Sequence, residues 1–142
     1  MAVVFNQFNL IVNDMEASLR FYRRLGLTIK DTDSEWALLH RSAVMPDGIE
    51  LDFDSVTFAR QWNTGWPGRA RGGMGVLGFE LPSRDAVDEV YEDLVGAGYN
   101  SQQPPFDAFW GARYAIVEDP DGNHVGLMSP IDPARRGAPP AI

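Results

Sequence analysis

Glu50 and Asp52 stand in Ile49 to Asp54, which alternates Ile-Glu-Leu-Asp-Phe-Asp and is the cleanest half-buried strand pattern in the chain. Carboxylates gathered on one strand face can act as general bases or attract a cation. There are two histidines, His40 and His124, and no cysteine, so disulfides and thiolate metal sites are excluded. A second group is aromatic: Trp36, Trp62, Trp66, Phe106, Phe109, Trp110 and Tyr114 are numerous, and many fall in loop-like stretches. Loop tryptophans can line the mouth of a cleft and stack on a flat ligand, and Trp110, beside Gly111, is the best placed to do so. The alternative is packing at a dimer interface or beneath a linker. The third group is basic, with Arg60, Arg69 and Arg71 forming a patch on a chain of net charge -8.

That charge disfavours nucleic acid and anionic membrane, both bound mainly through Lys and Arg, and favours cationic small molecules. Acidity also serves solubility alone. With 142 residues and 44% apolar content, one domain with one core is expected. No apolar run approaches the ~18–20 residues that span a bilayer. No basic-then-apolar leader precedes the first strand, so a cytoplasmic protein is expected.

The elements that must position these residues follow from periodicity. Phe5 to Val12 reads as a strand, and Asn13-Asp14 as a turn and helix cap. Met15, Leu19, Tyr22 and Leu25, widened by Phe21, form a helical stripe that Gly26 ends. Leu27 to Lys30 and Trp36 to Arg41 read as strands, then Ile49 to Asp54. Residues 56–74, rich in Gly and containing Trp66-Pro67-Gly68, read as a linker. The order then repeats: strand Val76 to Leu81, a helix opened by Pro82-Ser83-Arg84-Asp85, and a short strand near Tyr99 interrupted by Gln103-Pro104-Pro105. Arg113 to Val117 and His124 to Met128 follow, joined by a tight turn at Asp119-Pro120-Asp121-Gly122-Asn123 that suits positive φ at Gly122 or Asn123. One constant offset aligns Val12, Ala17, Tyr22 and Leu25 with Leu81, Ala86, Tyr91 and Leu94. An internal duplication of this kind predicts two similar modules. The expectation is an α+β domain over 1–130, with module one at 5–55, module two at 75–130, and a mobile or surface-draped tail at 131–142.

Three segments carry a family resemblance. They are Leu10 to Tyr22 followed by Leu25-Gly26-Leu27; Gly78-Phe79-Glu80-Leu81 with a helix ending at Ala97-Gly98; and Glu118 to Asn123, preceded by Phe109 to Tyr114. In this order they resemble the vicinal oxygen chelate superfamily of glyoxalases, bleomycin-resistance proteins and extradiol dioxygenases. The resemblance implies two βαβββ modules forming a curled mixed sheet around a cleft, with helices outside, and commonly a homodimer.

In metal-dependent members of that family, four inward side chains hold one divalent ion such as Zn, Ni, Mn or Fe. The matching positions here are Gln7, Glu50, Val76 and Gly126. Valine and glycine offer no ligand atom, so no metal ion or other cofactor is expected. Gln7, Glu50 and His124 remain as an alternative three-ligand set. With those four positions inward, strand alternation turns Asn9, Asp52, Glu80, His124 and Met128 the same way. The expected cleft is acidic, with Gln7, Asn9, Glu50, Asp52, Glu80, Trp110 and His124 as ligand-binding candidates. Each has a plainer alternative: Gln7 and Asn9 could satisfy backbone groups, Glu50 and Asp52 could be solvated, Glu80 could be structural, and His124 could be exposed beside its turn. His40 is assigned no role.

Three functions are compatible with this set. The first is metal-free binding of a small aromatic or cationic molecule. The second is a glyoxalase-type lyase, isomerase or dioxygenase, with Glu50 or Glu80 as catalytic base. The third is a structural or regulatory module with a vestigial cleft.

Overall fold

The computed structural model describes residues 1–2, 4–64, 68 and 75–141. The chain divides into two compact units, Met1–Arg71 and Gly72–Ile142, and the division falls inside the stretch 56–74.

The first unit runs β1 (Gln7–Val12), α1 (Met15–Leu25), β2 (His40–Val44), β3 (Glu50–Ser55) and α2 (Val56–Trp62). Its sheet has the order β1-β3-β2, with β1 parallel to β3 and β2 antiparallel to it. The Asp14 carboxylate caps α1 by accepting from the Ala17 N–H at 3.0 Å, and Gly26 ends the helix at φ 122°. The predicted stripe forms: Leu19, Phe21 and Tyr22 are wholly buried, and the Tyr22 ring lies 5.0 Å from that of Phe53 on β3.

Three expectations for this unit need correction. Leu27–Lys30 forms no strand among the described residues. Its carbonyls are taken by side chains instead, Ile29 O by the Arg23 guanidinium at 2.6 Å and Lys30 O by that of Arg41. The strand expected at Trp36 to Arg41 begins only at His40. The Thr32 and Ser34 hydroxyls accept from the N–H groups of Ser34 and Trp36, and the Trp36 carbonyl accepts from both Leu39 and His40. Short polar side chains that bond the local backbone favour turns over a ladder. The stretch read as linker begins with helix α2, capped by the Ser55 hydroxyl on the Phe58 N–H. Trp66, Arg69, Arg71 and Gly72-Gly73 lie outside the described residues.

The second unit follows the predicted order: β4 (Val76–Glu80), α3 (Arg84–Gly96), β5 (Ser101–Asp107), β6 (Arg113–Glu118) and β7 (His124–Met128). Its sheet is ordered β4-β7-β6-β5, again with the first strand parallel to the last. The strand expected near Tyr99 begins only at Ser101, and Gln103-Pro104-Pro105 continue it rather than interrupt it, because in the outer strand β5 register shifts absorb the missing donors. The turn before β7 is built on Asp119, whose carboxylate accepts from the N–H groups of Asp121 and Asn123 at 2.9 Å, with Gly122 at φ 80°. Val87 and Leu94 of α3 are fully buried, as are Val117, Val125 and Leu127. Arg113 adds a polar tie between β6 and α3 through Asp88 at 3.0 Å. That hydrogen bond foremost, and the charges of Asp88 and Asp107, hold its guanidinium above the ordinary arginine value against the opposing effect of burial.

The C-terminal segment is draped rather than loose over part of its length. A single helical turn at Pro133–Arg135 is flanked by the bonds Asp132 N–H to Gly111 O at 3.0 Å and Gly137 N–H to Phe109 O at 2.8 Å.

Phe53 is wholly buried against Tyr22. Phe53→Ala should therefore cost about 3–5 kcal/mol, read as a lower denaturant midpoint at unchanged slope.

Candidate functional site

The parallel pairing of β4 with β7 decides which side chains share a face in the second unit. Val76 stands opposite His124, Gly78 opposite Gly126, and Glu80 opposite Met128. Across β7, Tyr114 stands opposite Met128 and Glu118 opposite His124. A concavity of about 410 Å³ opens there, lined by Val76, Gly78, Phe79, Glu80, Trp110, Tyr114 and Met128. Its ionisable acid is the Glu80 carboxylate, and its walls are largely aromatic and apolar.

The walls form a cluster of rings. Trp110 meets Tyr114 edge-on at 5.5 Å, Phe109 at 5.3 Å and Phe106 at 6.2 Å. Such edge-to-face contacts fix ring orientation as well as burying area. Burial pushes the Tyr114 phenol above its ordinary value. Trp110 rides on a turn closed by Gly111 N–H to Ala108 O at 3.0 Å, and the C-terminal segment pins that turn from outside. Gly111 is required there: its φ is 98°, and a Cβ would meet the Asp132 carbonyl oxygen at 2.5 Å.

His124 does not line this concavity. It sits at the start of β7, with Nε2 3.9 Å from Glu118 Oε1. Of the binding candidates read from the sequence, Glu80 and Trp110 line this concavity together; Tyr114, which lines it beside them, was named among the aromatics but not as a binding candidate.

In the first unit, the face of the sheet away from Leu10, Val12, Leu51 and Phe53 is polar. Gln7 Nε2 donates to Asp52 Oδ2 and to Asn9 Oδ1, both at 2.8 Å, and Asn9 Nδ2 donates to Asp54 Oδ2 at 2.7 Å. The Ser42 hydroxyl donates to Asp52 Oδ1 at 2.6 Å. His40 Nδ1 lies 2.5 Å from Asp54 Oδ1. Asp52 and Asp54 are buried, and each of their four oxygens has a partner. Buried carboxylates persist only when hydrogen-bonded in this way. Gln7 and Asn9 thus bond side chains rather than backbone groups, and Asp52 is held in their network rather than solvated. Glu50 pairs with Gln7 in register and is half-buried. His40, assigned no role from the sequence, shares this face with Ser42 and Asp54, which were not candidates. Alternation from Asp52 reaches Asp54, but His40 and Ser42 could share its face only once the strand is moved to His40–Val44.

The metal-ligand positions implied by the resemblance fare poorly in the second unit. Val76 contributes methyl groups. At Gly126 a Cβ would lie 2.9 Å from the Tyr114 phenol oxygen and 3.0 Å from Val76 Cγ1, so the tyrosine occupies the space a ligand side chain would need. Gln7 turns its amide nitrogen to Asp52. Among the described residues no three His, Asp or Glu side chains converge as a metal site. The residues present do not fit the family's ion.

The fold agrees with the comparisons. The model of the glyoxalase/bleomycin resistance protein/dioxygenase superfamily matches residues 4–127, and the chain belongs to that superfamily. Among similar solved structures, a glyoxalase-related enzyme from Fulvimarina pelagi is 24% identical with a TM-score of 0.75, covering 91% of this chain and 88% of that one. A glyoxalase/bleomycin resistance protein/dioxygenase from Nocardioides is 25% identical with a TM-score of 0.68, covering 100% and 91%. A lactoylglutathione lyase from Agrobacterium tumefaciens is 17% identical with a TM-score of 0.66, covering 91% and 95%. No curated protein matches the chain significantly. No helix among the described residues is long and apolar enough to cross a membrane.

Gly126→Ala should cost about 1–3 kcal/mol through overpacking against Tyr114. The loss should be smaller in a Tyr114→Phe background, where the closest atom is gone. A thermal-unfolding double-mutant cycle reads this coupling. Gly111→Ala should destabilise the Trp110 turn and expose the C-terminal segment, seen as faster proteolysis after Ile131.

Proposed function

We propose that this protein binds a small planar molecule, aromatic or cationic, in the concavity of its second unit, and does so without a metal ion. The carrying observation is the aromatic wall of Trp110 and Tyr114 beside the Glu80 carboxylate in a space of about 410 Å³. That volume falls within the ~300–1,000 Å³ range of small-molecule sites. Rings at fixed angles offer π-faces to a flat ligand, and a cation above such a face gains about 0.5–2 kcal/mol. Glu80 adds charge attraction, and the acidic chain favours the same sign of ligand. Val76 and Gly126, which lack donor atoms, support a site that works without an ion. The reading includes a cytoplasmic homodimer; the exposed Phe5, Phe8 and Val44 of the first unit supply apolar surface for one.

A planar acridinium dye titrated against tryptophan fluorescence tests the reading. Binding should saturate, survive chelator treatment, and weaken at least tenfold in Trp110→Ala. Glu80→Gln should weaken the cation several-fold while leaving a neutral aromatic of the same shape unchanged. Equal affinities for Trp110→Ala and the parent chain would remove the concavity as the site.

A further inference from the structure

The polar face of the first unit carries a second arrangement that ligand binding in the other unit does not use. Asp54 Oδ1 lies 2.5 Å from His40 Nδ1, and His40 Nε2 lies 3.2 Å from Ser42 Oγ. We propose that Ser42, His40 and Asp54 form a nucleophilic site on the outer strand β2, acting on activated esters with an apolar acyl group.

Each part has the environment its role requires. The Asp54 side chain is 1% exposed, and its second oxygen is held by the Asn9 amide at 2.7 Å, so the carboxylate cannot swing away. A carboxylate only accepts, so the Nδ1 contact requires a proton on Nδ1. In the neutral ring, Nε2 is then the lone-pair nitrogen, and it is the one that faces Ser42. The His40 side chain is 37% exposed, open enough to meet a substrate, whereas its orienting partner is buried. A nucleophile in reach of a base that a third group orients is the recurring geometry of activated hydroxyls.

The resting hydrogen count gives this site a definite first step. Ser42 has one hydroxyl hydrogen and two acceptors, Asp52 Oδ1 at 2.6 Å and His40 Nε2 at 3.2 Å. At rest the hydrogen points to Asp52, whose other oxygen is served by Gln7 at 2.8 Å. Turning about the Cβ–Oγ bond aims it at His40 without moving a heavy atom. Ser42 Oγ then attacks the carbonyl carbon of the ester while its proton passes to Nε2. The tetrahedral adduct collapses, the bond to the leaving oxygen breaks, and that oxygen takes the proton from Nε2. Water repeats the sequence on the acyl-serine and releases the acid. The acyl preference comes from the neighbouring rings: His40 packs edge-on against Phe58 at 5.7 Å, and Phe58 against Trp36 at 5.4 Å, with Trp36 half exposed.

An alkyl fluorophosphonate reads the nucleophile without requiring turnover: Oγ bonds to phosphorus, fluoride leaves with the P–F electron pair, and the proton goes to His40. The full chain should take one probe, mapped to Ser42 by peptide mass. The labelling rate should fall at least ~100-fold in His40→Asn, in line with the loss of a general base. Asp54 is a positioning residue, so Asp54→Asn should slow labelling and change its pH profile while circular dichroism stays native. A natively folded parent chain that takes no probe, or takes it elsewhere, overturns the proposal. Labelling of His40→Asn at the parental rate does the same. Should His40→Asn not fold, the site of the adduct on the parent chain decides alone.

Discussion

In each unit the first strand of the sheet runs parallel to the last, and the positions of the candidate groups follow from that pairing. A parallel pair cannot be closed by a hairpin, so the chain must cross over, and here each crossover includes a helix that covers one sheet face. The other face is left to whatever the alternation delivers. Register then does the rest. Gln7 meets Glu50 and Asn9 meets Asp52 in one unit, and Val76 meets His124 and Glu80 meets Met128 in the other. A slip of one residue would send every one of these side chains into the helix-facing core.

The two faces so defined differ in character although the units share their plan. The first is a saturated polar network in which two buried carboxylates are held by amide, hydroxyl and imidazole groups. The second is apolar and aromatic, with one carboxylate at its concavity. The divergence is clearest at Gly126. A Cβ there would crowd the Tyr114 phenol and a Val76 methyl, so the tyrosine wall and a bare position at Gly126 go together.

Much of the fold was legible in the sequence because its signals were local. Asp14 as a cap, Pro82 to Asp85 as a helix start, the Leu19–Tyr22 stripe, Gly26 as terminator and the Asp119 turn each need only a few neighbouring residues, and each formed as expected. The errors lie where polar side chains take up the backbone groups that a strand would have used. Leu27–Lys30 has strand-forming residues, but two arginines, Arg23 and Arg41, claim its carbonyls. The strand expected at Trp36 slid to His40 because Thr32 and Ser34 hold the preceding chain in turns. That slide hid His40 and Ser42. Glu80 and Trp110 were legible as candidates; their companion Tyr114 was not singled out, since an aromatic on a strand looks the same whether it walls a concavity or fills a core.

The bonds from Asp132 to Gly111 and from Gly137 to Phe109 bracket Trp110 in the chain. Docking of the last residues and the pose of this indole are therefore one equilibrium seen from two ends. By reciprocity of linkage, whatever grips the indole in its present pose must tighten the terminus by the same free energy, and whatever pulls on the terminus must loosen that grip equally. Residues 132–137 are in this sense a handle on the aromatic wall.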